Sequence, residues 1–278
     1  DIEGIASPVS HWVRRTSKLD KLTADAAEAV SIANSSSGQI ASLIIPADIS
    51  WEPAENNVKK IPCEEREKVS QEDIIKAAKS LRNGASSLLL VGGVALHEKG
   101  IELAGKISAK TGCQIRSPIF NGRTRRGAGL VEIPRVPHAP DVAYKALSDT
   151  NEIVLCGANP PVSSFAFRDR PNVLSQPDCN FIRMAHVEQD LLTALDDLAS
   201  ELDAHSSTPV NVSKPISYDK PSGSLTSDNI AKTIVRSLPE NPILLDEAVS
   251  SGRGFAEITS YAGPHDLLQH IGGALGYG

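Results

Sequence analysis

The feature that most constrains this chain is an alternation, between Gln71 and Leu202, of short apolar runs with longer stretches of helical periodicity. Leu88-Leu89-Leu90-Val91 and Ile153-Val154-Leu155-Cys156 are continuous apolar runs, read as strands from Ser87 to Val91 and from Ile153 to Cys156, each followed directly by glycine. Around them, residues 71–82, 97–111, 140–147 and 188–202 place apolar side chains three and four apart, as amphipathic helices do. Strands apolar on both faces, separated by helices, make a parallel sheet covered on both sides. The pattern therefore predicts an α/β fold with a doubly wound, Rossmann-like parallel sheet. Shorter strands are read at Gln114-Ile115 and around Ile182, and the charged stretch that follows Ile115 is read as irregular.

The flanks carry pieces of the same grammar. Residues 20–34 have helical spacing with Thr23 as a cap, and Ile40 to Ile45 reads as a strand. Pro-, Asn- and Ser-rich stretches at 51–70 and 204–226 read as linkers. Beyond the second lie a helix over 227–237, a strand from Ile243 to Glu247 and a glycine-rich end. The expected organisation is a first segment over 1–50, a central domain over 71–203 and a last segment over 227–278. The start at Asp1-Ile2-Glu3 and the closing Gly272-Gly273-Ala274-Leu275-Gly276-Tyr277-Gly278 suggest a piece of a longer protein.

Charge and cysteine usage narrow the function classes. With 28 basic against 34 acidic residues the net charge is -6, which lacks the basic excess of a nucleic-acid binder. No apolar run approaches the ~18 residues that a membrane helix needs. Cys63, Cys113, Cys156 and Cys179 are far apart and show no zinc-ligand spacing. Cys113 and Cys156 read as buried apolar residues, and reduced thiols fit the cytoplasm.

Four stretches carry candidate chemistry. Gly92 and Gly93 lie between a strand and a helix, where glycines make a tight turn or let a phosphate meet backbone amides. Arg123, with Arg125 and Arg126, reads as a loop able to grip phosphates by bidentate bonds or simply to face solvent. Gly157-Ala158-Asn159-Pro160 follows a strand end, where ligands of open α/β sheets sit. Asp246-Glu247-Ala248-Val249-Ser250-Ser251-Gly252 also follows a strand end, and its hydroxyls suit a diphosphate.

The order of these pieces resembles the thiamine-diphosphate enzymes of the acetolactate synthase, benzoylformate decarboxylase and benzaldehyde lyase group, acetolactate synthase large subunits above all. Three parts carry it. They are Ser7 to Trp12 with Ile45-Pro46-Ala47-Asp48, Leu88 to Leu96 with Ile153 to Phe167, and Leu245 to Ala248 with Gly272 to Gly278. The resemblance implies the end of a pyrimidine-binding domain, a whole central domain and the opening of a diphosphate-binding domain. It implies 2-keto acid decarboxylation with carboligation, thiamine diphosphate and Mg²⁺ in the parent enzyme, and a homodimer or homotetramer. It also implies that Ser250 contacts the diphosphate and that Gly273 and Leu275 meet the aminopyrimidine. The family's glutamate and its Mg²⁺-holding motif are absent from the 278 residues, so the isolated chain is expected to bind the cofactor incompletely and to be inactive. Some members hold FAD or an ADP group in the central domain, and Gly157-Ala158-Asn159 lacks the arginine of flavin-binding members. The alternative readings are a non-catalytic module holding an ADP-like nucleotide through Gly92, Gly93 and Arg123, a module for subunit contact, and a decarboxylase or lyase of the same family.

Overall fold

The computed structural model describes residues 1–53, 59–248, 250–252 and 254–269. The chain divides into two compact units, Asp1–Glu67 and Lys68–Gly278.

The first unit runs α1 (Ile2–Ala6), β1 (Trp12–Arg15), α2 (Leu19–Asn34), β2 (Ala41–Ile44) and α3 (Ala47–Trp51). β1 and β2 form a two-stranded parallel pair, with Trp12 opposite Ala41. Helix α2 crosses between them, held by Arg14, whose guanidinium donates to Asp25 at 3.2 Å and to Glu28 Oε1 at 3.0 Å. The same guanidinium stands 5.0 Å from the centre of the Trp12 ring. The helix starts at Leu19, so Thr23 lies within its second turn and does not cap it; the N-cap is Lys18, without a side-chain bond. Among the described residues of this unit, Ile49 is the buried aliphatic side chain.

The second unit contains α4 (Gln71–Leu81), β3 (Ser87–Val91), α5 (Glu98–Thr111), β4 (Gln114–Arg116), β5 (Arg123–Arg126), α6 (Pro140–Ala146), β6 (Glu152–Cys156), β7 (Asn180–Ala185), α7 (Leu191–Glu201), α8 (Ser227–Ser237), β8 (Ile243–Asp246), α9 (Phe255–Thr259) and β9 (His265–Gln269). Its main sheet is parallel throughout, in the order β4-β3-β6-β7. Leu88, Leu89, Leu90 and Val91 are all fully buried because both faces are covered. Leu89, Val91, Val154 and Cys156 join one cluster with Ile74 and Leu81 of α4, Ile101 and Ile107 of α5, and Leu195 and Leu198 of α7. Leu88, Leu90, Ile153 and Leu155 join a second with Ala143 of α6, Leu147 and Leu174. The doubly wound α/β sheet read from the sequence is therefore the one formed. Local signals fix the helix ends: Ser70 Oγ accepts from Asp73 N at 3.2 Å to start α4, and Gly112, at φ +77°, closes α5 in the left-handed region.

A smaller sheet was not legible in the sequence. Strand β5 pairs antiparallel with β9, which pairs parallel with β8, in the order β5-β9-β8. The arginine-rich stretch read as a loop is thus an edge strand, paired with residues about 140 positions later. Residues 211–213, read as part of a linker, are also paired: Ser213 N donates to Leu130 O at 2.9 Å, and Glu132 N to Asn211 O at 2.9 Å.

Candidate cofactor site

Two strand-end edges of the second unit carry the candidate residues. The first is where β3 meets β6. From β3 the chain passes to β4 on one side, while β6 and β7 lie on the other, so this junction is the switch point of the sheet. The backbone pairing continues one residue past each strand: Gly92 N donates to Cys156 O at 2.9 Å, and Gly157 N to Ala185 O at 3.0 Å. Gly93 at φ +57° and Gly157 at φ +63° take conformations that favour glycine, and they turn the chain away from the sheet. The glycine motif and the 157–159 loop, separate in sequence, are therefore one place.

Arg183 of β7 belongs to the same edge. Its Nη1 donates to Ala158 O at 3.2 Å and its Nη2 to Asn159 Oδ1 at 3.4 Å. It was missed in the sequence, although a lone charge in the apolar run Phe181-Ile182-Arg183-Met184 is a readable signal. Arg123 is engaged in the smaller sheet, where Nη2 donates to Asp266 Oδ2 at 2.9 Å. Arg125 there donates to Asn241 Oδ1 at 2.9 Å and pairs with Glu98 at 3.4 Å. Burial pushes the Arg126 guanidinium down to about 10, opposed by Glu132 and assisted by Arg135, and its Nη2 is bonded to Ala256 O.

The second edge is the carboxyl end of the parallel pair β8 and β9. Asp246 Oδ1 accepts from Ala248 N at 3.0 Å and Oδ2 from Gln269 Nε2 at 3.4 Å. Arg135 donates to Gln269 Oε1 at 2.9 Å, so a cation, an amide and a carboxylate form one chain across the strand ends. Ser250 follows this edge and is exposed, a hydroxyl placed where an anionic group can reach it. Gly252 is needed in the turn, since a Cβ there would lie 2.9 Å from Ala248 O. Hydroxyls that follow the carboxyl end of parallel strands suit a diphosphate. Gly273 and Leu275 lie outside the described residues. Among the described residues no group of three His, Cys, Asp or Glu side chains stands ready to hold a metal ion, and no helix is long and apolar enough to cross a membrane.

No protein-family model matches the chain. It is 34% identical, over 100% of its own length and 53% of the other's, to IlvX of Mycobacterium tuberculosis, provisionally described as an acetolactate synthase large subunit. Solved structures agree in fold. A provisional thiamin diphosphate-dependent enzyme from Mycobacterium smegmatis superposes with TM-score 0.66 at 15% identity, over 99% of this chain and 56% of that one. Benzoylformate decarboxylase from Polynucleobacter necessarius gives 0.64 at 13%, over 99% and 55%. The thiamine diphosphate-dependent 4-hydroxybenzoylformate decarboxylase of Rhodococcus jostii gives 0.58 at 12%, over 97% and 54%. The chain thus spans about half the length of the proteins it matches. The resemblance read from the sequence, to thiamine-diphosphate enzymes of the acetolactate synthase kind, accordingly holds over its whole length.

Proposed function

We propose that the protein containing this chain is a thiamine-diphosphate-dependent enzyme of 2-keto acids, decarboxylating one molecule and joining the remainder to a second carbonyl in the manner of acetolactate synthase. The observation that carries this reading is the 34% identity to IlvX along the entire chain, through both strand-end edges. Thiamine diphosphate, when bound with Mg²⁺, supplies the carbon nucleophile that a protein side chain cannot provide. The residues of this chain bind and orient. Ser250 holds a diphosphate oxygen, Gly273 and Leu275 offer backbone to the aminopyrimidine, and the Arg135–Gln269–Asp246 chain fixes the strand ends from which the Ser250 loop leaves. Subunit association as a homodimer or homotetramer and a cytoplasmic setting complete the reading.

The likeness in fold to two benzoylformate-type decarboxylases favours a second reading, in which the product is released as an aldehyde without carboligation. One assay separates them. The protein containing this chain, supplied with thiamine diphosphate, Mg²⁺ and pyruvate, is expected to release CO₂ and accumulate acetolactate. Aldehyde with no acetolactate selects the second reading. No CO₂ from pyruvate, 2-ketobutyrate or benzoylformate overturns both.

A further inference from the structure

The junction of β3 and β6 is where open α/β sheets take nucleotides, and a glycine there normally lets backbone approach a pyrophosphate. The space a glycine leaves is then the ligand's. In this chain the protein fills it. A Cβ on Gly92 would meet Gly157 O at 2.5 Å. One on Gly93 would meet Val187 Cγ2 at 3.2 Å and Leu191 Cδ1 at 3.5 Å. One on Gly157 would collide with Leu191 Cδ1 outright.

Leu191 opens α7 and is fully buried, so the first turn of that helix drives a single side chain against both glycine turns. Arg183, the cation at this edge, is engaged by Ala158 O and Asn159 Oδ1 and holds the loop after β6 to the sheet. We infer that Leu191 is a plug that closes the switch-point crevice, and that it excludes an ADP or flavin group from the central sheet. At Gly92 the place of a Cβ is taken by Gly157 O, and Gly93 and Gly157, whose positive φ already favours glycine, have Leu191 packed on them. The inference does not depend on the thiamine-diphosphate reading, and it removes the ground for a nucleotide-holding module.

The test is a titration of the 278-residue chain with ADP, and separately with FAD, followed by the amide resonances of Gly93, Gly157 and Asn159. In the wild type these stay in place up to about 1 mM ligand, an affinity weaker than about -4 kcal/mol. In Leu191→Ala, which keeps every glycine and opens the crevice, they move with ADP at an affinity at least about ten-fold tighter. Saturable movement in the wild type below that concentration overturns the inference. So does a Leu191→Ala chain with native amide dispersion that binds ADP no better than wild type. If Leu191→Ala does not fold, Leu191→Val, which withdraws the tip of the side chain, is read by the same criterion.

Discussion

The four cysteines show how one residue type takes different chemistry from its surroundings. Cys113 and Cys156 are buried, and burial pushes their thiols up to about 11 and about 12 respectively. Cys179 is half-buried and also raised, by burial first and then by the carboxylates of Asp178 and Glu152. Cys63 is exposed. Because the thiolate is the reactive form, a disulfide reagent at pH 8 is expected to label Cys63 fast and Cys179 slowly. Cys113 and Cys156 are labelled only after denaturant is added; mass spectrometry of the modified peptides checks the order, and early labelling of Cys156 would contradict its place in the core. Burial of Cys113 and Cys156 was legible because each lies in or beside an apolar run. The role of Gly92 was half legible: a turn after a strand is a local signal, whereas Gly157 O, which fills the space beside it, comes from the turn after another strand, 65 positions later.

Among elements, legibility followed the hydrophobic pattern. Strand β3 and helix α8 have the bounds expected of them because an apolar run or a helical stripe is written in consecutive residues. Strands β5 and β9 carry no such run. Their pairing depends on polar cross-strand partners, with Arg126 opposite His265 and Arg125 opposite Asp266. His265 is fully buried; its Nδ1 bonds Gly263 O at 2.8 Å, and Nε2 has no partner among the described residues. Its pKa is lowered, by burial first and then by Arg126 and Arg125, against the opposing pull of Gly263 O and Asp266. The folded chain therefore binds this proton less readily than the unfolded chain, whose histidine titrates near about 6.5. Stability is full above that pH and falls as pH drops through it, until the lower folded pKa is reached. Urea midpoints measured at pH 7.5 and 5.5 should fall for the wild type by more than for His265→Gln. Equal falls would show that His265 does not carry this dependence.

At the scale of the molecule, the central sheet and the last segment are joined by strand pairing and hydrogen bonds. Strand β5, from the middle of the chain, supplies the edge of the smaller sheet, and Ser213 Oγ donates to Ser260 O at 2.9 Å, so both lie in one compact unit. A fragment ending at residue 226 would keep β5 and lose β8 and β9. Trypsin is expected to cut that fragment after Arg123 and Arg125 within minutes under conditions where the 278-residue chain is intact at both sites. Resistance of the fragment would mean that β5 is held by the central sheet alone. The sequence by itself determined the parallel α/β sheet, its main helices and the kind of enzyme it resembles, because consecutive apolar residues decide which surfaces must be covered. Only the tertiary structure decided that the arginine stretch is a strand, that Arg183 pins the loop after β6 and that Leu191 closes the gap between two glycine turns. Those outcomes depend on which distant backbone and side-chain atoms occupy the same space, and that is set when the helices and strands pack.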